Sequence, residues 1–206
     1  MKTISVRVLF TLIIFIVSGF SFLQCNSSNK TEKKEVKTSD DFFPLKDGIK
    51  WTYINEGPSD ESVLITVSCS KNDGKGTYEL DKYPFFGNLN NSDQKTLINL
   101  DDSDNVYIKN SSGITSVLLP NQNKWSDGYS WKYNDLLKAY LTSNYTKVKT
   151  QAGDYYCIYL TFTDGFTFSY EMWLAKGVGI VKWGANRTNP PNPHLTYYVL
   201  KELSGN

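Results

Sequence analysis

The sequence predicts an all-β protein, mainly antiparallel, built as a curved sheet, half-barrel or barrel, with room for one short helix packed on it. Three observations carry this expectation. Aromatic residues are dense, with 14 Tyr, 11 Phe and 5 Trp among 206 residues, while Ala, the best helix former, occurs four times. Short segments alternating apolar and polar residues recur along the chain, bounded by Gly, Asn, Asp and Pro clusters. No helix-length connection separates them, as a parallel sheet would require, so neighbours pair as hairpins and meanders.

The strand signals run in order. Ile49–Asn55 and Glu61–Ser70 alternate, the second placing Val63, Ile65, Val67 and Cys69 on one face. Gly76–Lys82, Thr96–Leu100, Val106–Lys109 and Ile114–Leu119 follow. Turns fall at Asn72-Asp73-Gly74-Lys75-Gly76 and Asp101-Asp102-Ser103-Asp104-Asn105. Leu136–Thr150 reads either as one long strand or as a short helix running into a strand. Leu136, Leu137, Tyr140 and Leu141 have helical spacing, and Asn134–Ser143 is the expected helical cover for a neighbouring sheet face. Tyr155–Thr163 and Phe166–Leu174 are strands joined at Asp164-Gly165, a strong hairpin signal. In the first, Ile158, Leu160 and Phe162 oppose Tyr155, Cys157 and Tyr159, so both faces are expected to be covered. Lys176-Gly177-Val178-Gly179 bends into Ile180–Trp183, Asn189-Pro190-Pro191-Asn192-Pro193 is loop, and Leu195–Leu203 closes the domain.

Ahead of this body lie two segments of different character. Residues 1–24 carry Lys2 and Arg7, a ten-residue apolar run from Val8 to Val17, and then Ser18, Gly19 and Ser21. That order describes an export signal, and the run is short for a spanning helix, which needs about 20 residues. Residues 25–41 begin with Cys25 and continue through Asn26–Asp40, rich in Lys, Ser, Thr and Glu. They cannot bury a core and read as a tether. Residues 42–206 are long enough for one domain with a real core. Formal charge is +1, or −1 once Lys2 and Arg7 leave with the signal, which excludes a nucleic-acid binder driven by phosphate neutralisation.

Two resemblances follow. Phe22-Leu23-Gln24-Cys25 resembles a bacterial lipobox, with Gln24 where the usual box has a small residue. It implies lipidation of Cys25 and anchoring to a membrane, and Asn26 after the Cys implies the outer membrane. Several acyl chains at about 0.8 kcal/mol per buried CH₂ hold a soluble domain firmly. Three further pieces, in order, are Phe43-Pro44-Leu45-Lys46-Asp47-Gly48-Ile49-Lys50-Trp51-Thr52-Tyr53, Thr150-Gln151-Ala152-Gly153-Asp154-Tyr155-Tyr156-Cys157 and Trp173-Leu174-Ala175-Lys176-Gly177-Val178-Gly179-Ile180-Val181-Lys182. Together they resemble a broad family of largely uncharacterised bacterial lipoproteins. That resemblance implies a curved antiparallel sheet or half-barrel like those of lipid carriers, and no catalytic residue.

The residues themselves offer little catalytic chemistry. The single His, His194, sits in the Pro-rich loop with no nucleophile signalled near it. Asp101, Asp102 and Asp104 lack the Gly and Glu of a calcium loop in register and read as a hairpin tip. Glu79, Asp81 and Glu171 sit in strands, where solvent-facing alternation explains all three and a carboxylate-based hydrolase is the remote alternative. No cofactor motif or metal-ligand set is present in the sequence. Cys69 and Cys157 either bridge, which would stabilise by roughly 4 kcal/mol through a long loop, or stay as buried free thiols. Trp125, Tyr129, Trp131 and Tyr133 cluster closely and serve either as core or as an exposed platform. With Tyr155 and Tyr159 they are the candidate ligand or interaction face. The expectation is a non-enzymatic envelope lipoprotein that binds a hydrophobic small molecule or an envelope protein. Its alternative is a surface-displayed adhesion module with a solid core and no cavity.

Overall fold

The computed structural model describes residues 42–56, 63–72, 76–82, 85, 95–109, 113, 115–121, 123, 125–166, 168–187 and 196–205. The export signal, Cys25, the tether, the Asn189–Pro193 loop and His194 lie outside the described residues. Twelve strands form one antiparallel sheet. They are β1 (Lys50–Asn55), β2 (Leu64–Lys71), β3 (Thr77–Leu80), β4 (Thr96–Leu100), β5 (Val106–Lys109), β6 (Thr115–Leu119), β7 (Ser130–Lys132), β8 (Lys138–Thr150), β9 (Gly153–Thr163), β10 (Phe168–Ala175), β11 (Gly179–Arg187) and β12 (Thr196–Ser204). The order is β6-β5-β4-β3-β2-β1-β12-β11-β10-β9-β8-β7. Two six-strand meanders therefore join where the first strand pairs with the last, Trp51 opposite Leu203 and Tyr53 opposite Leu200. At the other seam, Val117 N–H donates to Tyr133 C=O (3.1 Å) and Trp131 Nε1–H to Val117 C=O (3.0 Å). The sheet is thus a nearly closed up-and-down barrel, and its outer strands meet instead of standing open.

Period-two alternation explains which residues face in. Trp51 and Tyr53 of β1, Ile65, Val67 and Cys69 of β2, Ile158, Leu160 and Phe162 of β9, and Met172 and Leu174 of β10 all join one buried cluster. Each fully buried Leu, Ile or Phe contributes about 1.5–3 kcal/mol by leaving water. Tyr53, Phe85, Trp183 and Tyr198 fill the interior with aromatic contacts, Trp183 stacking on Tyr198 at 4.3 Å and meeting Phe85 edge-on at 5.4 Å. The lead-in segment packs too. Phe43 is buried and meets Trp51 at 6.1 Å, and Gly48 takes a positive φ of 80° as its N–H donates to Cys69 C=O (2.9 Å). Across 127 residues, Trp51 Nε1–H donates to Val178 C=O (2.7 Å) and Tyr53 O–H to Ile180 C=O (2.9 Å). These two bonds tie β1 to the turn between β10 and β11.

Three expectations need correction, and the open alternative for the two thiols is decided. The helix over Asn134–Ser143 is absent. Asn134 Oδ1 instead accepts from the N–H groups of Leu136 and Leu137, closing a turn, and β8 starts at Lys138. β8 pairs with β7 on one side and β9 on the other, and that ladder overrides helical spacing. It turns Ala139 and Leu141 inward while Leu136 is left 82% exposed. Cys69 and Cys157 are both buried and free, in separate hydrophobic clusters, so there is no bridge. Val63 precedes β2 and is about half exposed, unlike Ile65, Val67 and Cys69. The Asp164-Gly165 hairpin is wider than two residues. Asp164 Oδ1 accepts from Phe166 and Phe168 N–H, and Phe166 stands in solvent at the tip.

Trp51 is 2% exposed. Its replacement by Ala removes a buried aromatic and its bond to Val178, so chemical melts of Trp51→Ala are expected to show a loss of about 3–5 kcal/mol. A loss below about 1 kcal/mol would place the indole outside the stabilising core.

Candidate functional site

The outward residues of the second meander form registered rows. One runs Tyr159, Trp173, Lys182, Val199 and Ile54 across β9, β10, β11, β12 and β1. Beside it run Thr161, Glu171, Gly184 and Tyr197. β8 reaches across this face. Its register with β9 slips between Leu141 and Ser143 and again between Ser143 and Thr146, and such bulges bend a strand. Beyond the bend, Val148 packs with Cys157, Ala175 and Val181 in a second small core on the outer side of the barrel. Tyr155, opposite Val148 in this hairpin, packs against the same small core.

Between this arm and the sheet lies a groove in two adjoining stretches that share Lys149. One, about 320 Å³, has Trp173, Lys182 and Tyr197 as floor and Thr146–Lys149 as wall. The other, about 640 Å³, runs over Ile54, Asn55, Glu56 and Val199 beneath Lys149, Thr150 and Gln151. The floor is tightly arranged. Trp173 stacks on Tyr159 at 4.6 Å with the rings 4° from parallel. The Tyr197 ring lies against Gly184, where an added Cβ would come 2.4 Å from Cδ1 of that ring and 2.7 Å from Thr196 O. Gly184 is thus required for the ring to lie on the sheet. Tyr197 O–H donates to Glu171 Oε2 (2.6 Å), and burial, reinforced by that carboxylate, pushes the phenol well above its ordinary pKa. Tyr197 is therefore a fixed donor at neutral pH. Lys182 Nζ sits 4.4 Å from the Tyr197 ring centroid and 5.6 Å from that of Trp173, and pairs with Glu56 Oε2 at 2.8 Å. Lys147 pairs with Asp154 at 2.8 Å. The groove is thus lined by aromatic rings, three ammonium groups, one carboxylate and two side-chain amides.

The residues singled out from sequence are distributed differently from the expectation. Trp125, Tyr129, Trp131 and Tyr133 are not a platform. All pack against the main core at the seam, Trp125 against Phe42 (5.8 Å), Tyr129 against Trp131 (6.0 Å) and Tyr133 against Phe162 (5.2 Å). Closing the barrel needs bulk there, because β7 is only three residues long. Tyr155 is half-buried beside the second core and donates to Ala152 C=O (3.0 Å). Tyr159 comes nearest the groove, stacked on Trp173 of its floor. Trp173, Lys182, Tyr197 and Glu56 were missed. Outward parity of Glu171 and Trp173 was readable, but the register that joins them to Tyr197 and Glu56 is not local.

The other carboxylates are accounted for. Glu79 pairs with Lys95 (2.8 Å), and Asp81 Oδ1 accepts from Ser68 N–H (2.7 Å). Asp101 Oδ1 accepts from Ser103 and Asn105 N–H, which builds the β4–β5 tip, and among the described residues no group of three potential metal ligands converges.

No family model and no curated protein matches the sequence. Among solved structures, the chain is similar to a Bacteroides fragilis protein described as exported, with a YmcC-like fold. It is 15% identical, with 80% of this chain and 99% of that one covered at a TM-score of 0.52. A Parabacteroides distasonis protein described as a lipoprotein is 12% identical, with 79% and 98% covered at a TM-score of 0.38. The fold is therefore YmcC-like, an antiparallel barrel.

Burial sets the chemistry of the two thiols. It pushes Cys69 up to about 11, with the Asp47 carboxylate adding to it, and Cys157 up to about 12. At pH 8 only about one Cys69 thiol in a thousand is ionised at such a value. A chromogenic disulfide reagent is expected to find both silent in the native chain and both reactive in denaturant. Unfolded thiols ionise near about 8.5, so the stability from burying them neutral is whole below that pH. It is lost as pH rises toward about 11 and then about 12. Melts taken upward from pH 8 should show that decline, and Cys157→Ala should flatten it.

Proposed function

We propose that this protein is a lipoprotein of the bacterial envelope, anchored through Cys25 and exposed at the outer membrane, and that it binds its ligand or partner in the outer-face groove. The observation that carries the site is the contrast between the two sides of the sheet. Inside the barrel, Tyr53, Phe43, Phe162, Met172, Leu160 and Leu174 are all below 2% exposed or nearly so, and fill the space a lipid chain would need. Outside, the groove beneath β8 is open and lined by aromatic and hydrogen-bonding groups. This favours a binding module with a solid core over a cup that shelters an acyl chain. Binding is preferred to catalysis because the one carboxylate lining the groove, Glu56, is paired with Lys182, and Glu171 behind the floor is held by Tyr197.

Anchoring has a direct test. Cys25→Ser is expected to move the protein from the detergent phase to the aqueous phase on partitioning. A variant that stays with detergent means that residues 8–23 hold it, and the lipoprotein reading fails.

Binding is tested by native mass spectrometry on the full chain purified from its own envelope. An adduct is expected that is depleted in Trp173→Ala and Gln151→Ala. An adduct unaffected by both variants, or none at all, overturns the groove as the binding site.

A further inference from the structure

The wall of the groove is a strand edge, and from it we infer that the ligand is an extended, acidic segment of a partner protein, added to β8 as a further strand. The inference rests on the groove being the binding site. The residues from Thr146 to Gln151 line the two stretches without a gap. A strand that turned one face to the groove would line it with every second residue, so an unbroken run marks an edge. Bond directions agree. Leu141 N–H donates to Tyr129 C=O and Leu141 C=O accepts from Gly128 N–H, both on the side away from β9. At the far end of β8 the two-residue turn Gln151-Ala152 makes Thr150 and Gly153 a bonded pair, and bonded pairs alternate along an antiparallel ladder. Thr146, Val148 and Thr150 therefore bond β9, while the N–H and C=O groups of Lys147 and Lys149 point the other way, into the groove. Among the described residues no strand pairs with β8 on that side beyond Leu141, and both lysines are exposed. Their backbone groups stand open to a ladder, the feature that strand addition uses.

Charge selects the strand. Lys147, Lys149 and Lys182 line the groove against one carboxylate, Glu56. In an antiparallel ladder the residues opposite Lys147 and Lys149 lie on the same face as those ammonium groups, so acidic side chains two residues apart meet both. The residue between them turns to the side of Val148, over the floor of Trp173 and Tyr197, where an apolar side chain meets the rings. Lysines on an edge guard against indiscriminate pairing, and an acidic strand is the one they admit. A second copy of the chain is a poorer occupant, because its own β8 would set Lys147 and Lys149 against the same ammonium groups.

The test titrates the full chain by calorimetry with two blocked pentapeptides, Glu-Val-Glu-Val-Glu and Lys-Val-Lys-Val-Lys. The acidic peptide is expected to bind about tenfold or more tightly than the basic one. N-methylation of its Glu amides, which face β8, should abolish binding, and N-methylation of its Val amides should leave it. Lys149→Pro removes an edge N–H that β9 does not use, and should weaken binding about tenfold or more beyond Lys149→Ala. An unchanged melt for the Pro variant separates lost binding from lost folding, and the methylated peptides need no variant. Equal binding of the basic peptide, or none of the acidic one, overturns the inference. Binding that tolerates both methylations, or that is equal in Lys149→Pro and Lys149→Ala, overturns the added strand and leaves a groove for carboxylates alone. A chain that is dimeric without peptide and monomeric as Lys149→Pro assigns the edge to a second copy and also overturns the inference. The envelope adduct judges the groove separately. An adduct depleted in Trp173→Ala and Gln151→Ala, beside a peptide that fails to bind, keeps the groove and removes the peptide.

Discussion

The pairing of the first strand with the last is the constraint on which the rest of the structure depends. Without it the two meanders would meet only at the seam between Val117 and Tyr133, with β1 and β12 left as open edges. β1 and β12 supply that joint through a ladder from Lys50–Ser204 to Asn55–Tyr198, with one register shift between Thr52 and Tyr53. Trp51 and Tyr53 lock it from the inside by donating to the Val178 and Ile180 carbonyls. The positions of those carbonyls depend on the β10–β11 turn. Gly179 there takes a φ of 91° with its Cα side 3.2 Å from the Trp51 indole nitrogen, measured to an added Cβ. A side chain at this point would meet the indole and Pro44 together, so a bulky turn would open the joint.

That joint also decides which side of the sheet is available. Once the barrel closes, its interior is committed to the side chains of both meanders, and large aromatics fill it. The outer face is left free, and the β8–β9 hairpin builds a groove on it. The hairpin is longer than its neighbours, its bulges bend it back, and Val148 anchors it over Cys157, Ala175 and Val181. A bare outer face thereby becomes a floor with a wall. Trp173, Lys182 and Tyr197 are held in that floor by stacking, cation–π contact and hydrogen bonding.

Residues of the three sequence pieces that resemble envelope lipoproteins meet in space. Trp51 of the first touches Val178 of the third, while Ala152 and Tyr155 of the second pack against the same core, and Cys157 packs against Val181. Their separation along the chain and closeness in the fold follow from one requirement, the packing of the hairpin, the turn and the joint against each other.

Strand identity was determined by the sequence almost throughout, because alternation is a local signal read two residues at a time. Ile65, Val67 and Cys69, or Ile158, Leu160 and Phe162, announce their shared face without help from partners. Trp51 as a core residue follows in the same way. Local patterns failed where a partner strand outvoted them. Leu136, Leu137, Tyr140 and Leu141 have helical spacing, yet β7 and β9 impose a ladder on that stretch. The aromatic run at Trp125–Tyr133 was open to either reading, core or platform, and the barrel seam packs it against the core. The groove was decided by tertiary structure alone. Tyr159, Trp173, Lys182, Val199 and Ile54 come from five strands, and only inter-strand register aligns them. Register depends on where each bulge falls, as between Trp173 and Leu174, and a one-residue shift would turn the row inward.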